Sequence, residues 1–278
     1  MNEKIAVVND YMSIGGEKTF WNVMVEGLNA TAVELGKGDK IPEDTDLVIT
    51  NSLLGKVTDK PSIVLLQDNY IDMDKLFGGC IEKINLQKQA LYSAKIKVAN
   101  SCHIVNSYVE CGKFEVIPLG IDPALFKPLN NKDELKEKYD IPKDVKVNIW
   151  VGSHHPVKGL DLIDTSKDFW ILVFKDKSEP KQKNVLSFVK ISQEQLVELY
   201  NCADQFVSTS RMESEGLAGI EAMFCDIPVS VTPVGIFWDW KPNNIHPREE
   251  AYKKGLDKKS MIKKWKELVE GINVRTQS

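Results

Sequence analysis

The stretch QFVSTSRMESEGLAGIEAM, residues 205–223, joins a β-branched run to an alanine-rich apolar run across a short charged loop. Gln205 to Thr209 predict a strand, and the apolar spacing from Leu217 predicts a helix, so RMESEG is a strand-exit loop. Glu213 then lies just before the helix and Glu221 within its first turns. In a continuous helix, positions eight apart would stand about 80° out of register. A loop start removes that constraint. Glu213 can curl over the helix N-terminus, where Gly216 exposes backbone N–H groups beside it. On spacing alone two readings stay open: acids that complement a helix dipole, and carboxylates that accept hydrogen bonds from the hydroxyls of a ligand such as a sugar.

Outward from this stretch, short β-branched runs keep alternating with helical patterns. Downstream of a linker the runs are VKVNIWVG (145–152), WILVF (170–174), VLSFV (185–189) and PVSVT (228–232). Upstream they are IAVV (5–8), LVIT (47–50), SIVLL (62–66), IKVAN (96–100) and residues 114–117, with helical spacing in TFWNVMVEGL and from about Asp74 to Ser93. Alternation of this kind implies parallel sheets, because parallel strands need long crossovers. The expected fold class is α/β, with two Rossmann-like doubly wound halves. Between them, PLGIDPALFKPLNNKDELKEKY replaces apolar continuity with proline, glycine and charge, as a linker does. The expected domains are 1–123, 124–258 and a C-terminal helix over 259–278.

Composition sets the outer limits. A chain of 278 residues with 42% apolar content suits two small domains with real cores. A formal charge of -4 provides no global basic field, so nucleic acid is not an expected partner. Five cysteines without CxxC spacing read as reduced, buried thiols. MNEKIAVVND lacks a signal-peptide pattern, and no run approaches the roughly 20 apolar residues of a membrane span. The expected location is cytoplasmic.

Ligands of such sheets bind at the carboxyl ends of strands. SIGGEK follows the first strand; its Gly15 and Gly16 let backbone N–H groups approach an anion, although an ordinary turn uses the same residues. It is neither a GxGxxG fingerprint nor a P-loop. GSHHPVKG follows VKVNIWV, and Lys158 there can neutralise a phosphate or simply be a solvated helix-start lysine. His154 and His155 have no cysteine or acidic partner at ligand spacing, so hydrogen bonding to a ligand suits them better than a metal. Asp44-Thr45-Asp46 and Asp72-Met73-Asp74 fit a DxD pattern, which is cheap in a chain with 40 acidic residues. No metal site is expected.

ESEGLAGIEAM resembles the E-x7-E motif of retaining nucleotide-sugar glycosyltransferases of the GT-B fold. IGGEK, VANS (98–101), VIPLGIDPALFKP, GSHHPVKG, ISQEQLVELYNCADQFVSTS and CDIPV are similar to further family segments, in family order across most of residues 1–240. The resemblance implies that Glu213 binds donor-sugar hydroxyls and that amides around Gly216 and Leu217 hold the sugar or phosphates. It implies that Glu221 takes the ribose diol, while Lys158 and the Gly16 amide bind the diphosphate. It also implies a UDP- or GDP-sugar donor, no cofactor or divalent ion, and retention through proton transfer to the outgoing phosphate oxygen.

Departures from the family pattern are specific. Ser153 stands where the family has an arginine, with Arg211, His154 or His155 as possible substitutes, and Gln67 stands where many members have a histidine. Glu215 occupies the family's usual aromatic position. Phe237, Trp238 and Trp240 are expected to form an aromatic stacking wall. The acceptor is expected to be a glycan, a lipid-linked compound or a protein. Lysines along residues 253–266 could bring an anionic membrane, but the Ile262, Trp265, Leu268, Val269 and Ile272 stripe reads better as a terminal helix packed on the protein. A non-catalytic nucleotide-sugar binder, a sugar-nucleotide epimerase and a phosphorylase are the alternatives on the same scaffold.

Overall fold

The computed structural model describes residues 4–10, 15–176 and 182–276. The chain divides into two compact units, residues 1–120 with 259–278 and residues 121–258, and each is described by itself.

The first unit begins with β1 (Ile5–Asn9), α1 (Gly15–Leu28) and β2 (Thr31–Glu34). It continues through β3 (Leu47–Asn51), β4 (Ser62–Leu66), α2 (Tyr70–Phe77), α3 (Ile81–Ser93), β5 (Ile96–Ala99), α4 (Cys102–Ser107) and β6 (Glu115–Val116). Among the described residues the sheet is parallel throughout, in the order β2-β1-β3-β4-β5-β6. β1, β3 and β4 are buried along their whole length, which explains their continuous apolar runs. β2 escapes the sequence reading because it is an edge strand of four residues of which only Val33 is buried. The single helical stretch expected from residue 74 to 93 is two helices. Gly78 and Gly79, at φ 71° and 79°, adopt the left-handed side of the map and break it.

The second unit contains α5 (Lys132–Lys138), β7 (Val147–Gly152), β8 (Phe169–Phe174), β9 (Val185–Val189) and α6 (Gln193–Cys202). It ends with β10 (Gln205–Ser208), α7 (Leu217–Phe224), β11 (Val229–Val231) and α8 (Pro247–Lys254). Its described strands are parallel in the order β11-β10-β7-β8-β9. Ser192 caps α6 by accepting a 3.2 Å hydrogen bond from the Gln195 amide. Much of the segment expected to be a linker belongs to this unit. Ile121, Phe126 and Leu135 are buried with Ile149, Phe206 and Phe224, and the Ile121 amide donates to the Leu256 carbonyl at 2.9 Å. Three isolated apolar anchors among prolines and charges make no periodic pattern, so the sequence hides them.

α9 (Lys258–Thr276) returns the chain to the first unit. Met261, Trp265, Val269 and Ile272 are buried with Trp21 and Met24 of α1 and with Ile5 and Val7 of β1. A Cβ added to Gly27 would lie 2.5 Å from Ile262, so the two helices approach closely there. The apolar face of α9 is therefore occupied by core, and its exposed side carries Lys259, Lys263 and Lys266. Cys111, Cys202 and Cys225 are buried, whereas Cys102 is exposed. Among the described residues no helix is long and apolar enough to cross a membrane.

Candidate functional site

In the second unit the strand order reverses at β7 and β10: β8 and β9 extend the sheet to one side, β10 and β11 to the other. The exit loops of these two neighbours flank the crevice where open α/β sheets bind ligands. Lys158 comes from the first loop and Glu213 from the second. Lys158 Nζ donates to Glu213 Oε1 at 2.7 Å, with both side chains mostly buried. Ser210 Oγ donates to the same oxygen at 2.7 Å. Ser210 is held in turn by Ser208, whose hydroxyl is 3.2 Å away, and by Thr232, whose Oγ1 donates to the Ser210 carbonyl at 2.6 Å.

Backbone contacts lock the two loops together. The Arg211 amide donates to the Val157 carbonyl at 2.7 Å, and Thr209 Oγ1 donates to the Gly159 carbonyl at 2.6 Å. Gly159 has φ +64°, and a Cβ there would fall 2.0 Å from the Thr209 carbonyl oxygen. Only glycine allows this approach. Sequence analysis does not single out the hydroxyls of Thr209, Ser210 and Thr232; the signal for the first two is the STS run (208–210) at the strand exit, and Thr232 ends the separate PVSVT run.

α7 begins at Gly216, a left-handed residue at φ +95° that offers no side-chain cap. The Gly219 amide donates back to the Gly216 carbonyl at 3.0 Å, whereas the amides of Leu217 and Ala218 precede the first intrahelical hydrogen bond. Gly235, at φ +62°, lets the backbone close on this turn: the Ile236 amide donates to the Glu215 carbonyl at 2.8 Å, and a Gly235 Cβ would lie 2.4 Å from that oxygen. Glu215 itself is 3% exposed. Phe237 differs from expectation. It is buried, and a Cβ added to Gly219 would come within 2.9 Å of its ring. Trp240 stacks on Phe237 at 5.8 Å, Lys254 lies 5.4 Å over the Trp240 ring, and Trp238 is the exposed member. The first of the three aromatics is core, because Gly216 and Gly219 at the start of α7 leave a ring-sized space.

Glu221 has different company from Glu213. Its Oε2 accepts from the Tyr200 hydroxyl at 3.0 Å, and Tyr200 is fully buried. Burial pushes the Glu221 carboxyl up to about 7, against which the Tyr200 hydrogen bond acts. The Tyr200 phenol is raised by burial and by the Glu221 charge.

The other residues singled out from sequence are placed as follows. Arg211 makes a bidentate pair with Asp161 at 2.8 and 2.6 Å and also donates to the Pro156 carbonyl at 2.7 Å. His154 Nδ1 meets Asp176 Oδ1 at 2.8 Å, and its ring stacks on Phe174 at 4.3 Å. His155 Nδ1 accepts from the Val157 amide at 3.2 Å. All three candidate replacements for the missing arginine thus have local duties. Ser153 is half-buried in the same loop. Gly15 and Gly16 are the first residues of α1; the loop before them, residues 11–14, lies outside the described residues. Gln67 Oε1 accepts from Asn51 Nδ2 at 2.8 Å. The DxD carboxylates serve local structure: Asp72 accepts from Asn69, Ser107 and Lys75, Asp74 accepts from the Cys80 amide, and Asp44 and Asp46 hold Lys4.

Residues 173–241 match the family model described as glycosyl transferases group 1, a span that includes Glu213 and Glu221. A D-inositol 3-phosphate glycosyltransferase of Mycolicibacterium smegmatis is 26% identical over 143 residues, covering 44% of this chain and 33% of that protein. The chain thus spans a third of that relative's length. Among solved structures, sucrose-phosphate synthase from Thermosynechococcus elongatus superposes with a TM-score of 0.77 at 15% identity, covering 98% of this chain and 100% of that one. Anabaena Alr3699/HepE, in complex with UDP and glucose, superposes with a TM-score of 0.71 at 14% identity, over 97% and 100%. At these identities the likeness shows the fold, which is of the GT-B class.

Proposed function

We propose that the protein transfers a sugar from a nucleotide-diphosphate sugar to an acceptor, with retention of anomeric configuration. The observation that carries this reading is the Lys158–Glu213 pair at the β7/β10 switch point, beside the uncapped first turn of α7. Lysine and the leading amides of α7, at Leu217 and Ala218, suit a diphosphate, and a carboxylate suits sugar hydroxyls. Glu221 would accept from the ribose diol. The group 1 match over residues 173–241 and the UDP complex of Alr3699/HepE support the same donor class.

In the proposed reaction the bond between the anomeric carbon and the leaving phosphate oxygen breaks. The acceptor hydroxyl bonds to that carbon on the same face, and its proton passes to the departing oxygen. Lys158 and the amides at Leu217 would balance the leaving charge without a divalent ion. The acceptor would be a glycan, a lipid-linked compound or a protein, met in the cytoplasm.

A second reading, a binder that no longer turns over its ligand, is favoured by one observation: Arg211 is committed to Asp161 and Ser153 carries no charge, leaving Lys158 as the side-chain cation described in this crevice. The test is a thermal-shift panel of UDP, GDP and ADP with their sugars, in EDTA and in Mn²⁺, followed by turnover measurements. A shift by one nucleotide in EDTA, with turnover abolished by Glu213→Gln while the nucleotide still binds, is the expected result. No shift by any nucleotide, or a strict Mn²⁺ requirement, would overturn the proposal. A shift without turnover would leave the binder.

A further inference from the structure

Beside the β6 edge of the first sheet, α9 and the strands enclose a groove of about 580 Å³. Pockets that take small ligands span about 300–1,000 Å³, so the space is large enough for one. Its floor is Ile96, Val116, Ile117, Leu268 and Ile272. All of these except Val116 belong to the core packed between α9 and the sheet, with Ile96 and Leu268 at its half-buried margin. The groove is thus the open end of that core, where apolar side chains face empty space instead of one another.

Gly271 helps to keep it open. Along α9, Lys264, Leu268, Gly271 and Ile272 recur at the spacing of one helical face, and all four line the groove. Glycine is a poor helix former, so its place inside α9 needs a reason. Gly27 in α1 has one, because Ile262 packs where its Cβ would stand. Gly271 has no such neighbour: no described atom lies within 4 Å of where its Cβ would be. A larger residue there would take up room that the groove now has.

Charge on the rim selects the occupant. Lys95, Lys264, Glu115 and Glu267 line it. Each glutamate is matched by a lysine that is not part of the groove: Lys113 Nζ lies 3.9 Å from Glu115 Oε1, and Lys263 Nζ lies 3.8 Å from Glu267 Oε1. Lys95 and Lys264 form no ion pair among the described residues, which leaves excess positive charge above an apolar floor. Lys264 is half-buried, as a lysine is when its methylene stem lies on apolar surface and its ammonium reaches water. A peptide strand would find only the two residues of β6 to pair with. A bilayer takes an apolar face that projects, whereas this floor is recessed and the apolar face of α9 is in the core. We infer that the groove binds one unbranched acyl chain bearing a carboxylate, with the chain on the apolar floor and the carboxylate at Lys95 and Lys264. The inference is independent of the transferase reading, because the groove lies at the start of β5 and not at the carboxyl ends of the strands.

The experiment titrates dodecanoate, dodecylammonium and butanoate into the full chain by calorimetry, each below its micelle-forming concentration. Expected is saturable binding of dodecanoate, at least about tenfold tighter than dodecylammonium, which reverses the head charge, and than butanoate, which lacks the chain. Gly271→Leu should weaken dodecanoate by about tenfold or more while replacing a poor helix former with a good one. Lys95→Gln combined with Lys264→Gln should abolish the preference for carboxylate over ammonium. Circular dichroism and melting temperature report whether the variants fold, and the lysine variant tests the site on its own if Gly271→Leu does not. Absence of saturable dodecanoate binding, equal or tighter binding of dodecylammonium, or unchanged affinity in folded Gly271→Leu would overturn the inference, as would a charge preference that survives loss of both lysines. Sedimentation with phosphatidylglycerol vesicles in the absence of dodecanoate binding would mark a membrane surface instead.

Discussion

The two switch points of this chain are built alike and furnished differently. At β7/β10 the exit loops bring a lysine, a glutamate and Ser210 together, and Thr232, just after β11, donates to the Ser210 carbonyl. At β1/β3 and the strands beside it they bring carboxamides, with Asp10 and Asp68 as the nearest charges in the exit segments. Parallel sheets of similar topology place ligands at the same edge, so the side chains at that edge decide which chemistry each accepts. One edge gathers an ion pair with hydroxyls around it; the other gathers carboxamides.

Removing the charge from the β7/β10 edge should have the largest effect. Glu213→Gln and Lys158→Met should each lower transfer by about 10²–10³-fold in an initial-rate assay, the scale seen when one preorganised polar group is removed from a transition state. If either variant kept wild-type turnover, the pair would be structural and the contrast between the edges would lose its chemical meaning.

The geometry of that edge comes next. Gly159→Val puts a side chain where a Cβ already meets the Thr209 carbonyl oxygen at 2.0 Å, and should cost about 3 kcal/mol or more in urea unfolding. Gly38→Ala, also at positive φ but with open space around it, should cost only about 1 kcal/mol, the backbone term alone.

The pH dependence of Glu221 sharpens the comparison further. Its carboxyl is raised from 4.5 to about 7 in the folded state, so the folded protein holds a proton that the unfolded chain has lost. The contribution to stability is full below pH 4.5 and declines as pH rises through about 7, by on the order of 3 kcal/mol at most. Over the same window the ionised carboxylate becomes a better acceptor for ribose hydroxyls. Nucleotide-sugar affinity should therefore rise between pH 6 and 8 while the melting temperature falls, and Glu221→Gln should flatten both curves. The smallest effect belongs to Asp161→Asn. It frees Arg211, and nucleotide affinity should stay within about twofold by titration calorimetry, since exposed ion pairs contribute little.

The sequence was readable wherever a run was continuously apolar or a helix began at a recognisable break. Ile5 to Val8 and Trp170 to Phe174 show the first, because full burial leaves no polar interruption, and the α7 span from Leu217, opening after Gly216, shows the second. It was unreadable where a few residues make long-range contacts. Ile121 and Phe126 anchor a segment whose composition says linker, and the GG pair at 78–79 divides a helix whose periodicity continues across it. The sequence places Phe237 in an aromatic wall because a loop aromatic has no periodicity to betray its packing against Gly216 and Gly219.

By itself the sequence determined the alternation of strands and helices, the parallel character that follows from crossover length, and which loops leave the carboxyl ends of strands. Those are consequences of local pattern. Strand order, and with it the switch points, came only from the tertiary structure, because pairing joins residues far apart in the chain. So did the partners of each candidate side chain. Lys158 and Glu213 stand 55 positions apart and meet at 2.7 Å, while Arg211, two residues from Glu213, is held by Asp161 instead. A hydrogen bond is decided within a few tenths of an ångström, and no spacing along a sequence carries that information.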